Sequence, residues 1–221
     1  MKAVAIDGPA GAGKSTIAKR AAAELGFIYV DTGALYRSIG YYMAISGVDT
    51  AKAQEVISRL KNITVELKFI DGVQRVFVNG EDVSEKIRTP EMSMHASNVS
   101  AIPEVREFLF DLQKDLARKN NVVMDGRDIG TVVLPDADVK IFLTASPEDR
   151  ARRRLSEHKK RGEKISFEQL LAEVKQRDYN DSHRAAAPLC MADDAILLDT
   201  TGNELETSVE LVISTIKNHL K

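Results

Sequence analysis

The stretch Gly8-Pro9-Ala10-Gly11-Ala12-Gly13-Lys14-Ser15 decides the fold class of this 221-residue chain. It matches the G-x-x-x-x-G-K-[ST] pattern in full, in which glycines let backbone N–H groups point inward around phosphate oxygens. The N-terminus of the following helix adds partial positive charge. Lys14 would reach the outer phosphates of a nucleoside triphosphate, and the Ser15 hydroxyl would ligate Mg²⁺.

The surroundings of this loop argue against a chance glycine-rich turn. The apolar run Ala3–Ile6 precedes it, as a buried strand would, and Lys14–Leu25 carries apolar residues at helical spacing with Gly26 as a stop. A guanine-reading N-K-x-D motif is absent from the sequence, which argues against a GTPase. The short length argues against a motor ATPase.

Strand-like runs alternate with helical patterns along the chain, which predicts an α/β fold with a parallel sheet. The predicted strands are Ala3–Ile6, Phe27–Val30, Asn121–Met124, Val139–Leu143 and Ala195–Leu198. The predicted helices are Lys14–Leu25, Ala34–Ile45, Ala51–Leu60, Pro90–Val99, Pro103–Lys119, one from Pro147 that Gly162 breaks, 166–179 and Asn203–Leu220. The β-rich stretch Asn62–Val83, with turns at Asp71-Gly72 and Asn79-Gly80, predicts a small antiparallel insert.

Ligands of parallel sheets bind at the carboxyl ends of the strands, so the residues after each strand are the next candidates. The second strand leads into 31–37 (DTGALYR), which is either a phosphate-facing cluster or a helix cap followed by surface residues. The third leads into 125–130 (DGRDIG), where Asp125 stands at the magnesium-side carboxylate position. Arg127 and Asp128 would face the cleft, the alternative being a loop ion pair.

Arg177, Asp181 and Arg184 are spaced i, i+4, i+7, so they share one helix face if the helix continues that far. Such a face suits ribose and phosphate, and it equally suits a surface salt-bridge ladder.

The segment Arg150–Lys164 holds eight Lys or Arg and two Glu, although the whole chain has a net charge of −2. Three interpretations compete: a nucleic-acid patch, a solvated helix, or a clamp for a small polyanion. The segment contains no aromatic residue for base stacking, and the remainder of the chain is acidic, which disfavours nucleic acid. A regulatory ATP-binding switch is a further alternative to an enzyme.

The overall composition is typical of a globular protein, and the cysteine count favours a reducing compartment. The single cysteine, Cys190, cannot form an intramolecular disulfide, and its expected environment is a buried apolar one. No stretch approaches the length of a membrane span or a signal-peptide core. We therefore expect a cytoplasmic protein with neither nucleic-acid nor membrane partners.

Taken together, the motifs resemble the bacterial cytidylate kinases, a branch of the nucleoside-monophosphate kinases, nearly end to end. The resemblance is carried, in the family's order, by GPAGAGKST, DTGALYR, NGEDVSEKIRTPE, VRE, DGRDIGTVVLPDADVKIFL, RRR and RDYNDSHRAAAPL. It implies a P-loop kinase with a five-stranded parallel sheet flanked by helices, a small antiparallel β insert and a helical lid. It also implies Mg²⁺-assisted phosphoryl transfer from ATP to CMP and dCMP, in pyrimidine nucleotide metabolism, by a monomer.

The resemblance implies residue roles as well. The ATP-binding set is Gly8, Pro9, Ala10, Gly11, Ala12, Gly13, Lys14, Ser15, Thr16, Arg150, Arg153 and Arg154. The CMP-binding set is Thr32, Tyr36, Arg37, Ser97, Arg106, Arg127, Asp128, Arg177, Asp181 and Arg184. The catalytic set is Lys14, Arg127, Asp128 and Arg153, and the metal set is Ser15 with Asp125 acting through water.

Within the CMP-binding set, each residue has an implied partner on the nucleotide. Ser97, Arg106 and Asp128 would read the cytosine base. Arg37, Arg127 and Arg177 would bind the acceptor phosphate, and Asp181 and Arg184 the pentose. Thr32 stands where some members of the family have Ser, so the resemblance does not fix how the site distinguishes ribose from deoxyribose. It does not fix whether UMP is accepted either.

The implied domain plan is one kinase domain over residues 1–221. Its core is 1–31, 101–149 and 165–221, its monophosphate-binding region is 32–100, and its lid is 150–164. In this plan the basic segment closes over ATP. Arg153 is the first choice among three neighbouring arginines for the contact with the transferring phosphoryl, and the other basic residues of the segment form a solvated face.

Overall fold

A computed structural model describes residues 1–220 of the chain. The fold consists of two compact units: residues 1–29 with the chain from Asn120 onward, and residues Val30–Lys119. The division into core, monophosphate-binding region and lid remains a prediction.

The first unit is built on a five-stranded sheet. Its strands are β1 (Ala3–Asp7), β2 (Ile28–Asp31), β6 (Val122–Gly126), β7 (Val139–Thr144) and β8 (Ile196–Asp199). Their order in the sheet is β2-β6-β1-β7-β8, and β1 is parallel to both of its neighbours. The chain passes from the first unit to the second within β2. The register pairs Ile6 with Asp125 and Asp7 with Gly126, so the carboxyl ends of β1 and β6 lie side by side.

Helices surround this sheet because the strands are buried and need apolar cover. The helices of the first unit are α1 (Lys14–Leu25), α6 (Pro147–Lys160), α7 (Phe167–His183) and α8 (Leu205–His219). The core contains Ile6 and Ile141 from the strands with Ile17 of α1 and Val212 of α8. A smaller cluster joins α6 to α7 through Ala151, Leu170 and Val174.

The second unit combines helices with an antiparallel sheet of its own. Its elements are α2 (Thr32–Ile45), α3 (Ala53–Leu60), β3 (Val65–Ile70), β4 (Val73–Val78), β5 (Glu81–Asp82), α4 (Pro90–Ser100) and α5 (Pro103–Lys119). Gly40 lets α2 approach α4 closely, since a Cβ at this position would lie 2.7 Å from the Cβ of His95. The predicted insert is confirmed as the sheet β3-β4-β5, with turns at Asp71-Gly72 and Asn79-Gly80.

Local capping chemistry sets the helix limits around the basic segment. Ser146 caps α6 by accepting the N–H of Asp149, and Ser166 forms a capping box with Gln169. The predicted end of α7 near Tyr179 is too early, since the helix continues to His183.

Two further expectations can be compared with residues 1–220. Cys190 was expected to be buried and is exposed, because it lies in the irregular segment between α7 and β8 rather than in the core. None of the helices in this part of the chain combines the length and apolarity needed to cross a membrane.

Candidate functional site

The phosphate loop between β1 and α1 has a backbone that only glycine adopts without strain. Gly8, Gly11 and Gly13 have φ values of 146°, 78° and 88°, outside the range that L side chains favour. A Cβ on Gly8 would lie 1.9 Å from the carbonyl oxygen of Leu143 on β7. The loop is therefore pressed against the neighbouring strand, and its shape suits an anion at the N-terminus of α1.

Lys14 is folded back into this loop. It is buried, and its Nζ donates to the carbonyl oxygen of Pro9 at 2.8 Å. Burial, and after it the proximity of Arg127, lowers the pKa of Lys14, while the carboxylates of Asp125 and Asp7 oppose that shift. The ammonium group is thus held by a loop carbonyl at the place where the pattern predicts phosphate oxygens.

Asp125 at the end of β6 is buried and held at both oxygens. Its Oδ2 accepts the Ser15 hydroxyl at 2.9 Å, and its Oδ1 accepts the hydroxyl of Tyr29 at 2.9 Å. Hydroxyl and carboxylate oxygens are the ligands that Mg²⁺ prefers, and the ion usually completes its shell with substrate phosphates and water. Within residues 1–220 no group of three or more His, Cys, Asp or Glu could hold a metal alone. The donor set therefore fits a magnesium ion that arrives with its nucleotide.

Asp7, the last residue of β1, ties the phosphate loop to the segment after β6. Its two carboxylate oxygens accept the backbone N–H groups of Ile129 at 2.9 Å and of Gly130 at 2.7 Å. Burial raises the pKa of Asp7 to about 6, although the two N–H groups favour the ionised form. A Cβ on Gly130 would meet the Lys140 side chain at 3.2 Å, so this turn passes close beneath β7.

The residues predicted to bind the acceptor come together in the first unit around Asp181. Arg127 donates from Nε to Asp181 Oδ2 at 2.8 Å, and Arg177 and Arg184 also act on this carboxylate. Burial raises the pKa of Asp181, but the positive charges, Arg127 first, outweigh burial and lower it overall. Three guanidinium groups around one carboxylate leave a net positive site that suits a phosphate.

Arg184 is fixed by the segment that follows α7. Its Nε donates to the carbonyl oxygen of Ala187 at 2.7 Å, and its Nη2 lies 3.5 Å from Asp128 Oδ1. Ala187 has φ 45°, an uncommon value for a residue other than glycine, so this contact depends on a strained turn. Arg177 and Asp181 lie one turn apart on α7, which ends at His183, so Arg184 is the C-cap of the helix with extended backbone rather than a residue of a shared helix face.

Two of the three arginines predicted to act from the lid, Arg150 and Arg153, make hydrogen bonds within the protein. Arg150 is buried and donates to the carbonyl oxygens of Ala145 and Ala10, at 2.9 Å each. It also makes a two-pronged contact with Asp178 at 2.9 and 2.5 Å. Arg153 donates to the carbonyl oxygen of Thr200 at 2.8 Å, and more weakly to that of Ala12.

Arg154 differs from both of these neighbours. It is half-buried, and among residues 1–220 it makes no hydrogen bond or ion pair. It lies one helical turn after Arg150, whose Cβ is 3.4 Å from where a Cβ of Gly11 would be. Arg150 and Arg154 therefore lie on the same face of α6, and at Arg150 this face is next to the phosphate loop.

The predicted acceptor residues of the second unit gather at the start of α2. Asp31 caps this helix by accepting the N–H of Ala34 at 2.9 Å, and its other oxygen pairs with Arg37 at 2.6 Å. The side-chain amide of Gln74 on β4 holds the backbone of Asp31, accepting its N–H at 2.8 Å and donating to its carbonyl at 3.2 Å. The insert thus fixes the segment that leads into Thr32, which is buried.

The other predicted acceptor residues of the second unit, Tyr36, Ser97 and Arg106, lie on α2, α4 and α5. The guanidinium of Arg106 stands 5.5 Å over the ring of Tyr36 and donates to the carbonyl oxygen of Ser100 at 3.3 Å. The Ser100 hydroxyl in turn donates to the carbonyl oxygen of Ser97, so Ser100 connects Arg106 to Ser97, two of the three predicted base readers. The roles of these residues toward a nucleotide remain predictions.

Comparison with known proteins identifies the family. The family model described as cytidylate kinase matches residues 4–218. The chain belongs to the cytidylate kinase family. A cytidylate kinase of Caldicellulosiruptor saccharolyticus is 51% identical over 210 residues, which are 95% of this chain and 93% of that protein. One of Caldanaerobacter subterraneus is 50% identical over 218 residues, covering 99% and 96% of the two chains.

A solved structure supports the fold. A crystal structure of an uncharacterized protein from Eubacterium ventriosum superposes with a TM-score of 0.54 at 13% identity, covering 98% of each chain. At that identity the likeness concerns the fold alone. The five-stranded sheet with helices around it and a separate antiparallel sheet is the arrangement predicted for this family.

The sequence did not reveal four residues that hold predicted site residues in place: Asp7, Tyr29 and Asp178 in the first unit and Gln74 in the second. Asp7 ends an apolar strand directly before the phosphate loop, which is a readable signal. Tyr29 and Gln74 look like ordinary strand residues in sequence. Asp178 stands beside Arg177 in a charged helix, and only the packing of α6 on α7 makes it the partner of a buried arginine.

The Arg150–Asp178 contact yields a stability prediction. Asp178→Ala leaves the Arg150 guanidinium, whose side chain is 3% exposed, without its counter-charge, so the free energy of unfolding should fall by about 3 kcal/mol. The matched control is Glu206→Ala, which removes a similar two-pronged partner of Arg20 at the surface and should leave the free energy of unfolding nearly unchanged, because solvent screens an exposed ion pair. Equal losses in urea unfolding of the two variants would contradict the buried anchor.

Proposed function

We propose that the protein transfers the terminal phosphoryl group of ATP to CMP and dCMP, giving CDP or dCDP and ADP. The observation that carries this proposal is the family match over residues 4–218. The first unit supports it independently, since it brings a phosphate loop and an arginine-rich acceptor cluster to the ends of adjacent strands. The phosphate loop and the arginine cluster each suit a phosphate group, and a phosphotransferase needs one such site for the donor and one for the acceptor.

On the donor side, the backbone N–H groups of residues 8–16 other than Pro9 would bind the β- and γ-phosphates, and Lys14 would leave the Pro9 carbonyl for a phosphate oxygen. Ser15 would ligate the magnesium ion of MgATP and Asp125 would hold one of its waters. The ion, when bound, neutralises charge that develops on the transferring group. The chain's own contribution is to position the triphosphate and exclude water.

On the acceptor side, Arg37, Arg127 and Arg177 would bind the monophosphate, because paired guanidinium N–H groups match phosphate oxygens. Asp128 would have a binding role toward the base rather than act as a base catalyst. A phosphate oxygen is already a competent nucleophile, so no proton needs to be removed before it attacks the γ-phosphorus.

The remaining acceptor contacts would select the nucleoside. Ser97 and Arg106 would read the cytosine, and Asp181 and Arg184 would contact the pentose. Thr32 and Tyr36 would line the same site. Thr32 carries a methyl group that a serine lacks, and we infer that it influences the choice between CMP and dCMP.

We assign the lid contact with the transferring phosphoryl to Arg154 rather than to Arg153, the first choice from the sequence. The guanidinium of Arg153 is engaged with Thr200 and forms an ion pair with Asp149 at 2.6 Å. Arg154 keeps its charge available in the described chain. Arg150 would serve as the anchor between the lid helix and the phosphate loop.

We further infer a cytoplasmic monomer that acts on small-molecule nucleotides and has no nucleic-acid or membrane partner. The single cysteine supports a reducing compartment. The family resemblance supports the monomer. The basic side chains Arg152, Lys159, Lys160 and Arg161 are exposed, as expected for a solvated face.

The proposed reaction is tested by ADP formation from MgATP with each acceptor in turn: CMP, dCMP, UMP, AMP, GMP and none. We expect rapid formation with CMP and dCMP and little without an acceptor, because the acceptor cluster must be filled for transfer. The UMP rate measures how strictly the base is read. Equal ADP release with and without acceptor would contradict the proposal and favour an ATPase or an ATP-binding switch.

The lid assignment is tested by Arg154→Met. Loss of a positive charge that acts on the transferring phosphoryl should lower kcat about 100-fold and leave the thermal unfolding midpoint unchanged. The matched control is Arg152→Met, a neighbouring arginine that is exposed and should leave kcat within about twofold. A normal kcat in Arg154→Met would contradict the assignment.

A further inference from the structure

Tyr29 makes a contact that the proposed reaction does not explain. It lies on β2, packs against the core of the first unit, and directs its hydroxyl to Asp125 Oδ1 at 2.9 Å. The other oxygen of this carboxylate, Oδ2, accepts the Ser15 hydroxyl at the same distance. The Asp125 carboxylate therefore accepts a hydrogen bond from a different hydroxyl donor at each of its two oxygens.

The two donors differ in what they face. Ser15 belongs to the phosphate loop, where a magnesium ion would bind, whereas Tyr29 belongs to a strand two positions away from β1 in the sheet. A phenylalanine would fill the same space against the core, so packing alone does not require the hydroxyl. What the hydroxyl supplies is a hydrogen bond that fixes the rotation of the buried carboxylate.

We propose that Tyr29 is a positioning residue for Asp125, the carboxylate expected to face the magnesium ion. By holding Oδ1, it keeps Oδ2 directed at Ser15 and at the water shell of the ion that accompanies ATP. The inference deepens the proposed function and rests on its donor half. Replacing a residue that orients a metal ligand through a hydrogen bond commonly weakens metal binding by about tenfold or more.

The experiment replaces Tyr29 by phenylalanine and measures metal binding directly. Mn²⁺ stands in for Mg²⁺, and its free concentration is followed by electron paramagnetic resonance in the presence of ATP and without any acceptor. We expect Tyr29→Phe to bind Mn²⁺ with ATP about tenfold more weakly than the wild type. In the kinase assay the Mg²⁺ concentration for half-maximal rate should rise by a similar factor, with the rate recovering at high Mg²⁺ and the KM for CMP unchanged.

Tyr42→Phe is the matched control, since Tyr42 is likewise a partly buried tyrosine packed against a core, but in the second unit. It should leave the Mn²⁺ affinity and the Mg²⁺ dependence unchanged. Thermal unfolding of both variants shows whether either change acts through stability.

Unchanged Mn²⁺ affinity in Tyr29→Phe would overturn the proposal, and a lowered unfolding midpoint at unchanged affinity would make Tyr29 a packing residue only. These outcomes are separate from a failure of the proposed function. If the wild type forms no CDP from CMP but binds Mn²⁺ with ATP, the acceptor assignment fails, and the comparison of Tyr29→Phe with the wild type still decides the role of Tyr29.

Discussion

One buried carboxylate connects the two halves of the site in the first unit. Asp7 ends the strand from which the phosphate loop starts, and it accepts two backbone N–H groups from Ile129 and Gly130, directly after Arg127 and Asp128. Because the pKa of Asp7 lies above its value in an unfolded chain, stability is lost as the pH rises from about 4 through 6. The shift corresponds to roughly 3 kcal/mol against folding at neutral pH. A charge kept at such a cost is characteristic of a functional site.

Several polar side chains that are predicted to contact the nucleotides are hydrogen-bonded to other groups of the protein. Their recorded partners are Lys14–Pro9, Arg127–Asp181, Arg37–Asp31 and Ser15–Asp125. Phosphoryl transfer depends on positioning and on charge neutralisation more than on covalent help, and these contacts hold charged side chains in defined positions. In the basic segment 150–164, Arg150 anchors α6 to the phosphate loop, and this contact fixes the position of Arg154 one helical turn later.

Local patterns predicted most of the fold, because the loop, the capping residues and the turn glycines each constrain the backbone within a few residues. The helix Lys14–Leu25 and the hairpin at Asp71-Gly72 are examples, and the structure confirms both. The contacts that the sequence could not supply are long-range ones. Tyr29 meets Asp125 across 96 positions, and no spacing rule relates strands that become neighbours only in the sheet.

We infer that Asp7 holds residues 127–130 in place for the acceptor nucleotide, although Asp7 is not among the residues proposed to bind it. The test is the CMP affinity of Asp7→Asn by calorimetry. The single amide oxygen of asparagine can replace only one of the two carboxylate oxygens that accept N–H groups, so we expect CMP binding to weaken at least about tenfold, with the protein still folded. Wild-type CMP affinity in a folded Asp7→Asn protein would contradict this role of Asp7.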